Sequence, residues 1–347
     1  MNQLRRRILE RIQPWCIDSI SRKEDSISIS GWAVSGSQTR EHLEIQSCGA
    51  SLTKADFKVT RPDLESVFPF WPQATNSGFT CDFRLQPNLL DKEIRFSYGD
   101  KNIFPFNPFH EYAYPLDDCI AVPDPSGRLR VHGSDSLPSF LLEGYSTFRK
   151  LSEIISSTTT INKIKNARIL DWGCGCGRVS RYFDTKDMQL WGADIDDFNL
   201  KWCEEQLNMK TLGISSNPTK NLPDSYFDLI FGISVMTHLH HDLQIAWLDE
   251  LTRSLKSSGY LILTFHGLAS ALRNISDEGF EELLSQGFYD FGENPILKGA
   301  VPENKDYRDT YNTLNQIVLN WTEKLRVTKY FESLIGNHQD LIVLQKI

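Results

Sequence analysis

Residues 167–178 read Ala167-Arg168-Ile169-Leu170-Asp171-Trp172-Gly173-Cys174-Gly175-Cys176-Gly177-Arg178. Apolar residues run into an acid, and glycine then occupies every second position. An apolar run before a glycine turn reads as a buried parallel strand entering a tight loop. Glycine there can take positive φ and lets a ligand approach bare backbone. Val179-Ser180-Arg181-Tyr182-Phe183 reads as the first turns of a helix. The stretch therefore predicts a strand, a glycine loop and a helix start, with backbone N–H groups facing a nucleotide-type ligand. Spacing removes two alternatives. A dinucleotide fingerprint needs Gly-x-Gly-x-x-Gly, whose last glycine would fall on Arg178 or Ser180 here. A Walker-type phosphate loop needs Gly-Lys, a pair absent from the chain. What remains is Asp171-x-Gly173-x-Gly175-x-Gly177, with a purely structural strand-to-helix turn as the other reading.

Two further segments extend the pattern. Gln189-Leu190-Trp191-Gly192-Ala193-Asp194-Ile195-Asp196 reads as a short strand ending in acids. Asp194 lies about 20 residues past the glycine loop, where an acid can accept hydrogen bonds from ribose hydroxyls. Leu222-Pro223-Asp224-Ser225-Tyr226-Phe227-Asp228-Leu229-Ile230 is a turn feeding an apolar strand that continues through Ser234. Residues 242–256 place Leu243, Ala246, Trp247, Leu248 and Leu251 at helical spacing, with Gly259 as the expected cap. Residues 260–266 read as the next strand. Alternating β and α units of this kind make a parallel sheet.

Together the blocks resemble class I S-adenosylmethionine-dependent methyltransferases. The resemblance covers roughly residues 130–347 and implies an α/β, Rossmann-like seven-stranded sheet of strand order 3-2-1-4-5-7-6. Residues 325–330 and 339–345 would form its final antiparallel pair. The implied cofactor is S-adenosyl-L-methionine. Carried over residue by residue, the cofactor loop comprises Asp171, Gly173, Cys174, Gly175 and Gly177. Asp194 would grip the ribose and Ile195 would pack on the adenine. Asn217 is the nearest match to a polar residue that reaches the adenine amino group, although the usual acid is absent and Pro218-Thr219-Lys220 intervene. Ser234 ends the strand that carries the methionine end. Asp196 reads as a cap for the helix beginning near Asp197 or Phe198.

Before residue 110 the pattern is β alone. Ser26-Ile27-Ser28-Ile29-Ser30-Gly31-Trp32-Ala33, Gly78-Phe79-Thr80-Cys81-Asp82-Phe83-Arg84-Leu85 and Glu93-Ile94-Arg95-Phe96-Ser97-Tyr98 all alternate. Short alternating strands with turn signals predict a small all-β sandwich. The organisation that follows is an N-terminal helical arm at 1–23, a β-sandwich accessory domain at 24–104, a linker at 105–130 and a methyltransferase domain at 131–347. Within the last lie a helical cap at 136–160 and a substrate-lid insert at 267–311. His132, Gly144 and Arg149 are candidates to border the pocket, or to belong to a cap that only packs. The sandwich, with its Gly31-Trp32-Ala33-Val34, Arg61-Pro62-Asp63 and Gly78-Phe79, looks like a β module found beside glycan-handling enzymes. Trp32, Phe70 and Trp71 are its candidate sugar-stacking rings, with core packing as the alternative.

Composition bounds the remaining classes. A net charge of −8 over 347 residues argues against a general nucleic-acid partner. Seven scattered cysteines suit a reduced, cytoplasmic chain better than a disulfide framework. Cys174 and Cys176 lack the Cys-x-x-Cys partner that zinc would need, so no metal is expected. No apolar run approaches a membrane span. The chemistry then follows from the cofactor: an activated methyl needs an aligned acceptor, and a hydroxyl acceptor gains from a base. His238 and His266 stand after the two strand ends, where open α/β sheets place their sites. Either is a candidate catalytic base, and either could instead only orient its loop.

The segments Ser234-Val235-Met236-Thr237-His238-Leu239, Trp247-Leu248-Asp249-Glu250-Leu251, Thr264-Phe265-His266-Gly267 and Gln339-Asp340-Leu341 resemble methyltransferases associated with glycosyltransferases of bacterial surface polysaccharides. That resemblance implies O-methylation of a sugar hydroxyl. The implied partners are a glycan, or another hydroxyl-bearing acceptor, and a glycosyltransferase. Tyr311-Asn312-Thr313 departs from the Tyr-His-Ser/Thr expected there. A small metabolite or a protein side chain as acceptor, and a non-catalytic binding scaffold, are the rival readings.

Overall fold

The computed structural model describes residues 15–34, 43–68, 74–86, 93–100, 111–117, 120–293, 308–321 and 323–347. The chain divides into two compact units. One comprises residues 1–120, 136–150 and 272–274; the other comprises 121–135, 151–271 and 275–347.

The first unit is built from β1 (Trp15–Arg22), β2 (Ser26–Ala33), β3 (Leu43–Cys48), β4 (Ala50–Val59), β5 (Gly78–Leu85), β6 (Glu93–Asp100) and β7 (Glu111–Pro115). They form a four-stranded sheet in the order β1-β2-β5-β4 and a three-stranded sheet in the order β3-β6-β7. Alternation sends Ile27 and Ile29 of β2, and Phe79, Cys81 and Phe83 of β5, into one core with Ile94, Phe96, Tyr112 and Tyr114 of the other sheet. Two expectations are corrected. Residues 15–22, read as the end of a helical arm, are strand β1, because Trp15, Ile17 and Ile20 bury against β2; residues 1–14 lie outside the described residues. Residues 111–115, read as linker, are β7, buried along their whole length.

The helix Leu137–Thr158 was expected to begin the catalytic domain as a cap, yet its residues through Lys150 count with the first unit. Leu141 and Leu142 pack on the β core. Ser146 Oγ donates to the Ala113 carbonyl and accepts from its N–H. Arg149 pairs with Glu93 at 3.3 Å and Glu111 at 3.5 Å. Gly144 and Arg149 therefore belong to this unit.

The second unit holds β8 (Ala167–Trp172), β9 (Met188–Asp194), β10 (Lys210–Gly213), β11 (Phe227–Gly232), β12 (Leu255–His266), β13 (Phe288–Glu293), β14 (Arg308–Asn312), β15 (Leu325–Ile335) and β16 (Gln339–Lys346). Among the described residues its sheet has nine strands, where seven in the order 3-2-1-4-5-7-6 were expected. The run β10-β9-β8-β11-β12 is parallel throughout. β16 pairs antiparallel with β12, and β15 with β16. β14 joins β12 at one residue pair, His266 with Tyr311, and β13 pairs with β14. This is a Rossmann-like α/β sheet. Its central strands read as continuous apolar runs because they are buried on both faces: Phe227 to Gly232 is buried at every position. Leu170, Ile230, Leu261, Leu263 and Ile342 lie in one core with Trp172, Trp247 and Phe265.

Because these strands are parallel, Gly173, Asp194, Ser234 and His266 come to the same sheet edge. Three local expectations change. Val179–Phe183 is not a helix start: only a 3-10 turn, Ser180–Tyr182, forms there. The buried Arg181 guanidinium bonds the carbonyls of Gly177, Cys176 and Ala121, holding the loop's acceptors in place of a growing helix. Gly259 does not cap the helix His241–Ser254, which ends at Leu255; it lies in a bulge of β12 between the residues paired with Phe227 and Leu229. The expected lid at 267–311 consists of the helices Leu268–Asn274 and Asp277–Gln286 and the sheet strands β13 and β14. Residues 294–307 lie outside the described residues.

Candidate functional site

A cavity in the second unit opens at the ends of β8, β9 and β11. It is lined by Asp171, Gly173, Cys174 and Gly175 of the loop, by Asp194, Ile195 and Asp196, and by Ser234 and His238. All three loop glycines have positive φ: 75° at Gly173, 51° at Gly175 and 68° at Gly177. A Cβ on Gly173 would meet Val235 Cγ2 at 2.3 Å, and one on Gly175 would meet Val131 Cγ2 at 2.8 Å. Conformation and space thus both demand glycine. Gly177 does not line the cavity; it packs against Leu207.

The loop was expected to present N–H groups to a ligand, and those of Gly173, Cys174, Gly175 and Gly177 are bonded within the protein instead. Gly173 and Cys174 both donate to the Ala193 carbonyl, at 2.8 and 3.1 Å. Gly175 donates to Asp194 Oδ2 at 2.7 Å, and Gly177 to the Cys174 carbonyl at 2.9 Å. The first three of these bonds tie the loop to β9, and the fourth closes the loop on itself.

Asp194 ends β9 and lines the cavity, with each oxygen already accepting one amide: Gly175 N–H, and Asp196 N–H at 2.9 Å. A carboxylate oxygen has a second lone pair, so the group can still accept from hydroxyls. Burial pushes its carboxyl up to about 6 against the pull of those amides. Asp171 is pushed further, to about 7, by burial, with the Ser180 hydroxyl bond opposing and nearby Asp194 adding to the rise. Asp196 caps the helix Asp197–Leu207 by accepting from Phe198 N–H at 3.0 Å.

Ser234 has φ of 62°, rare for a residue with a Cβ. Thr264 Oγ1 accepts its N–H at 2.7 Å, and the Gln339 amide donates to its hydroxyl at 2.9 Å. His238 sits on the 3-10 turn Met236–His238. Its Nδ1 lies 3.0 Å from the Arg308 carbonyl of β14. A carbonyl only accepts, so Nδ1 carries the hydrogen and Nε2 is the basic nitrogen of the neutral ring. Burial lowers its pKa below the ordinary 6.5, against the Arg308 carbonyl and the Asp309 carboxylate, which raise it.

His266 was the other candidate base, and it is not part of the cavity wall. It is buried, with ring centroids 5.1 Å from Tyr311 and 5.8 Å from His338. Its position at the last residue of β12, between two neighbouring strands, places it inside the sheet edge. Asn217 is exposed and also absent from the wall. Ser215 and Ser216 line it instead, and Trp247 Nε1 fixes that segment by donating to the Ser216 carbonyl at 2.8 Å. His132 is likewise absent.

Sequence reasoning missed Arg130, Val131, Arg178 and Asn199, all of which line the cavity. Arg130 and Val131 come from the helix Pro125–His132. Its signals were visible: Asp124 caps it by accepting from Gly127 N–H, Pro125 opens it, and Gly133 closes it at φ 68°. Arg130 pairs with Asp196 at 3.4 Å. Asn199 is buried, and its Oδ1 has no hydrogen-bond partner among the described residues.

Comparison with known proteins gives this geometry a context. Residues 170–263 match the family described as "Methyltransferase domain". A curated relative, O-methyltransferase 3 of Dictyostelium discoideum, is 23% identical over 228 residues, covering 57% of this chain and 50% of the relative. The chain thus spans about half the length of that relative. Among solved structures, the chain is similar to a SAM-dependent methyltransferase from Methanosarcina mazei (20% identity, 54% of this chain and 95% of that one, TM-score 0.42). It is also similar to a putative sarcosine dimethylglycine methyltransferase from Galdieria sulphuraria (15% identity, 58% and 86%, TM-score 0.42). Residues 170–263 thus resemble a methyltransferase domain, and S-adenosylmethionine is the cofactor which that match implies for the cavity.

Proposed function

We propose that this chain is an S-adenosylmethionine-dependent O-methyltransferase acting on a sugar hydroxyl of a glycan. The cavity's residues fit the cofactor. Its wall holds the carboxyl groups of Asp171, Asp194 and Asp196 beside the guanidiniums of Arg130 and Arg178, acceptors and donors that suit a ligand carrying hydroxyls, an ammonium and a carboxylate. Asn199 Oδ1 is a buried acceptor awaiting a donor. Gly173 and Gly175, whose Cβ positions are taken up by Val235 and Val131, let those two side chains close onto the loop and shape the cavity wall. Asp194 would hold the ribose, Ile195, Ile214 and Trp247 would flank the base, and the Gly173 loop with Ser234 would bound the amino-acid end. When bound, the cofactor supplies a methyl carbon on a positively charged sulfur, already activated for displacement.

The chain's own part is alignment and proton removal. His238 carries the proposal for oxygen as the acceptor atom. Its Nδ1–H is committed to the Arg308 carbonyl, its Nε2 is basic, and burial keeps it neutral at pH 7. A neutral imidazole on the cavity wall can take the proton of an attacking hydroxyl. The name of the Dictyostelium relative agrees with oxygen as acceptor. The glycan, and a glycosyltransferase as partner in polysaccharide synthesis, rest on the motif blocks at 234–239, 247–251, 264–267 and 339–341. Trp32 gives them no support, since it is buried against Phe68; Phe70 and Trp71 lie outside the described residues. A cytoplasmic site of action suits the described cysteines, which are free thiols.

The test incubates the purified chain and methyl-labelled S-adenosylmethionine with cell-envelope glycan, with total small metabolites and with total protein. Alkali-stable label in the glycan is the expected result. Label confined to either other fraction overturns the glycan acceptor. Absence of transfer to all three overturns the enzyme.

A further inference from the structure

Strand β14 lies beyond the matched domain, in the insert that follows β12. It reaches the sheet by one residue pair with β12, and its start borders the 3-10 turn that carries His238. Thr310 Oγ1 fastens it there, within 3.2 Å of the carbonyls of Met236, Thr237 and Leu239. Gln244 Nε2, which donates to the Met236 and Leu239 carbonyls, lies 3.4 Å from the same hydroxyl. Two successive β14 residues then face the imidazole: Arg308 presents its backbone carbonyl, and Asp309 places Oδ1 3.8 Å from Nδ1. The Arg308 guanidinium is turned to the Asp290 carboxylate at 2.6 Å, so its charge is matched within the insert.

We propose that Asp309 is the positioning residue of the reaction, holding charge beside His238 Nδ1 so that the buried imidazole can accept the acceptor's proton at Nε2. This rests on the reading of His238 as base. The carbonyl of Arg308 fixes the tautomer, and the carboxylate of Asp309 offsets the positive charge that arrives with the proton. At 3.8 Å the pair is too long for a hydrogen bond and short enough for strong Coulombic coupling. Protonation at Nε2 moves one proton from the acceptor oxygen to the ring. The oxygen's electron pair forms the new bond to carbon, and the bond from carbon to sulfur breaks with its pair left on sulfur. Among the described residues, the other charged groups on the cavity wall are Asp171, Asp194, Asp196, Arg130 and Arg178. All lie on elements other than β14 and are unchanged by substitution at 309.

The insert thereby acquires a definite role. A chain with the same glycine loop but no β14 would keep the cofactor pocket and lose both the tautomer lock and the counter-charge of His238.

The test is a nitrogen-15 histidine titration by NMR of the full chain with S-adenosylhomocysteine, in wild type, Asp309→Asn and Asp309→Glu, with His238→Asn to assign the signal. The wild-type ring is expected to carry its hydrogen on Nδ1. Asp309→Asn should lower the His238 pKa by about one unit, a tenfold loss of basicity, and Asp309→Glu should restore most of it. Affinity for S-adenosylhomocysteine, read by calorimetry, should stay within twofold in all three. An Asp309→Asn ring that titrates as wild type, or a wild-type ring with hydrogen on Nε2, overturns the proposal. Loss of cofactor binding in wild type would instead overturn the methyltransferase reading, and the two failures are separate.

Discussion

Replacing Asp194 by asparagine separates the ligand role of this side chain from its structural one. Each carboxylate oxygen accepts one buried amide, from Gly175 at 2.7 Å and from Asp196 at 2.9 Å. Asparagine has one acceptor oxygen and an NH2, so either orientation sets a donor against one of these amides. Leaving that N–H unsatisfied costs about 1–3 kcal/mol. An opposing term exists. Burial raises the Asp194 carboxyl to about 6, roughly two units above its ordinary value, so ionising it at pH 7.5 costs the fold about 3 kcal/mol. Asparagine removes that cost, so the two terms oppose each other: the variant should be no less stable at pH 7.5 and more stable by no more than about 2 kcal/mol. Ligand binding has no such compensation. Hydrogen bonds from ribose hydroxyls to a carboxylate are worth about 1.5–3 kcal/mol each, and asparagine cannot accept on both oxygens. A loss of about 2–4 kcal/mol predicts an S-adenosylhomocysteine affinity weaker by about 30- to 1,000-fold. Calorimetry at pH 7.5, paired with urea unfolding of the same samples, measures both. The wild type should also lose affinity as pH falls below about 6, where Asp194 protonates, while the variant should not share that decline. A folded variant that binds within threefold of wild type refutes the assignment of Asp194 to the ligand.

Four other outcomes follow from the same geometry. Gly173→Ala combines a φ of 75° with a Cβ 2.3 Å from Val235 Cγ2, so urea unfolding should show a loss of about 2–4 kcal/mol. Adding Val235→Ala should return only the steric share; full recovery would mean the conformation is not strained. His238→Asn should reduce methyl transfer by about 10²- to 10⁴-fold with cofactor affinity intact, and the wild-type rate should fall on the acid side at a pH below 6.5, since burial lowers the His238 pKa. His266→Ala should instead keep the transfer rate within a fewfold and cost about 1–2 kcal/mol of stability through its lost contacts with Tyr311 and His338. A collapse in rate for a stable His266→Ala protein would restore His266 as the base. Asp171 is raised in the fold to about 7, so the stability it lends is full below its unfolded value near 3.9 and is lost as pH rises to about 7. Asp171→Asn should flatten that decline, an effect of up to about 4 kcal/mol read from the pH dependence of urea midpoints without ligand. A pH profile identical to wild type would contradict the burial of a titrating carboxyl there.

What could be read from the sequence was whatever depends on neighbours along the chain. The turn at Gly173–Gly177, the acid ending the next strand and the apolar runs of β8, β11 and β12 are local signals, and the sheet forms around them. The misreadings arise where a distant residue decides. Ala121, 60 positions upstream, takes a hydrogen bond from the Arg181 guanidinium, which also holds the Gly177 and Cys176 carbonyls, and only a 3-10 turn forms at Ser180–Tyr182. The Ala193 carbonyl takes the amides of Gly173 and Cys174, which no spacing rule reveals. His266 and His238 look alike in sequence, each following an apolar strand. Their fates differ because β14 and β16 pair with the first, a strand residue, on either side, while the second stands on a turn that β14 holds from one side and the cavity leaves open on the other. Asn217 was chosen by its distance from the strand, and the chain turns outward there, leaving Ser215 and Ser216 on the wall. Val131 was lost for the opposite reason. It reaches Gly175 from more than forty positions away, on a helix whose caps were plain but whose destination was not.

A crystal structure of the full chain grown with S-adenosylhomocysteine tests the pocket itself. The ligand should lie across the ends of β8, β9 and β11, its ribose hydroxyls within hydrogen-bond distance of Asp194 and its sulfur toward Ser234 and His238. A ligand bound elsewhere, or a cavity closed by Arg130 and Val131 with the ligand excluded at millimolar concentration, would contradict the account.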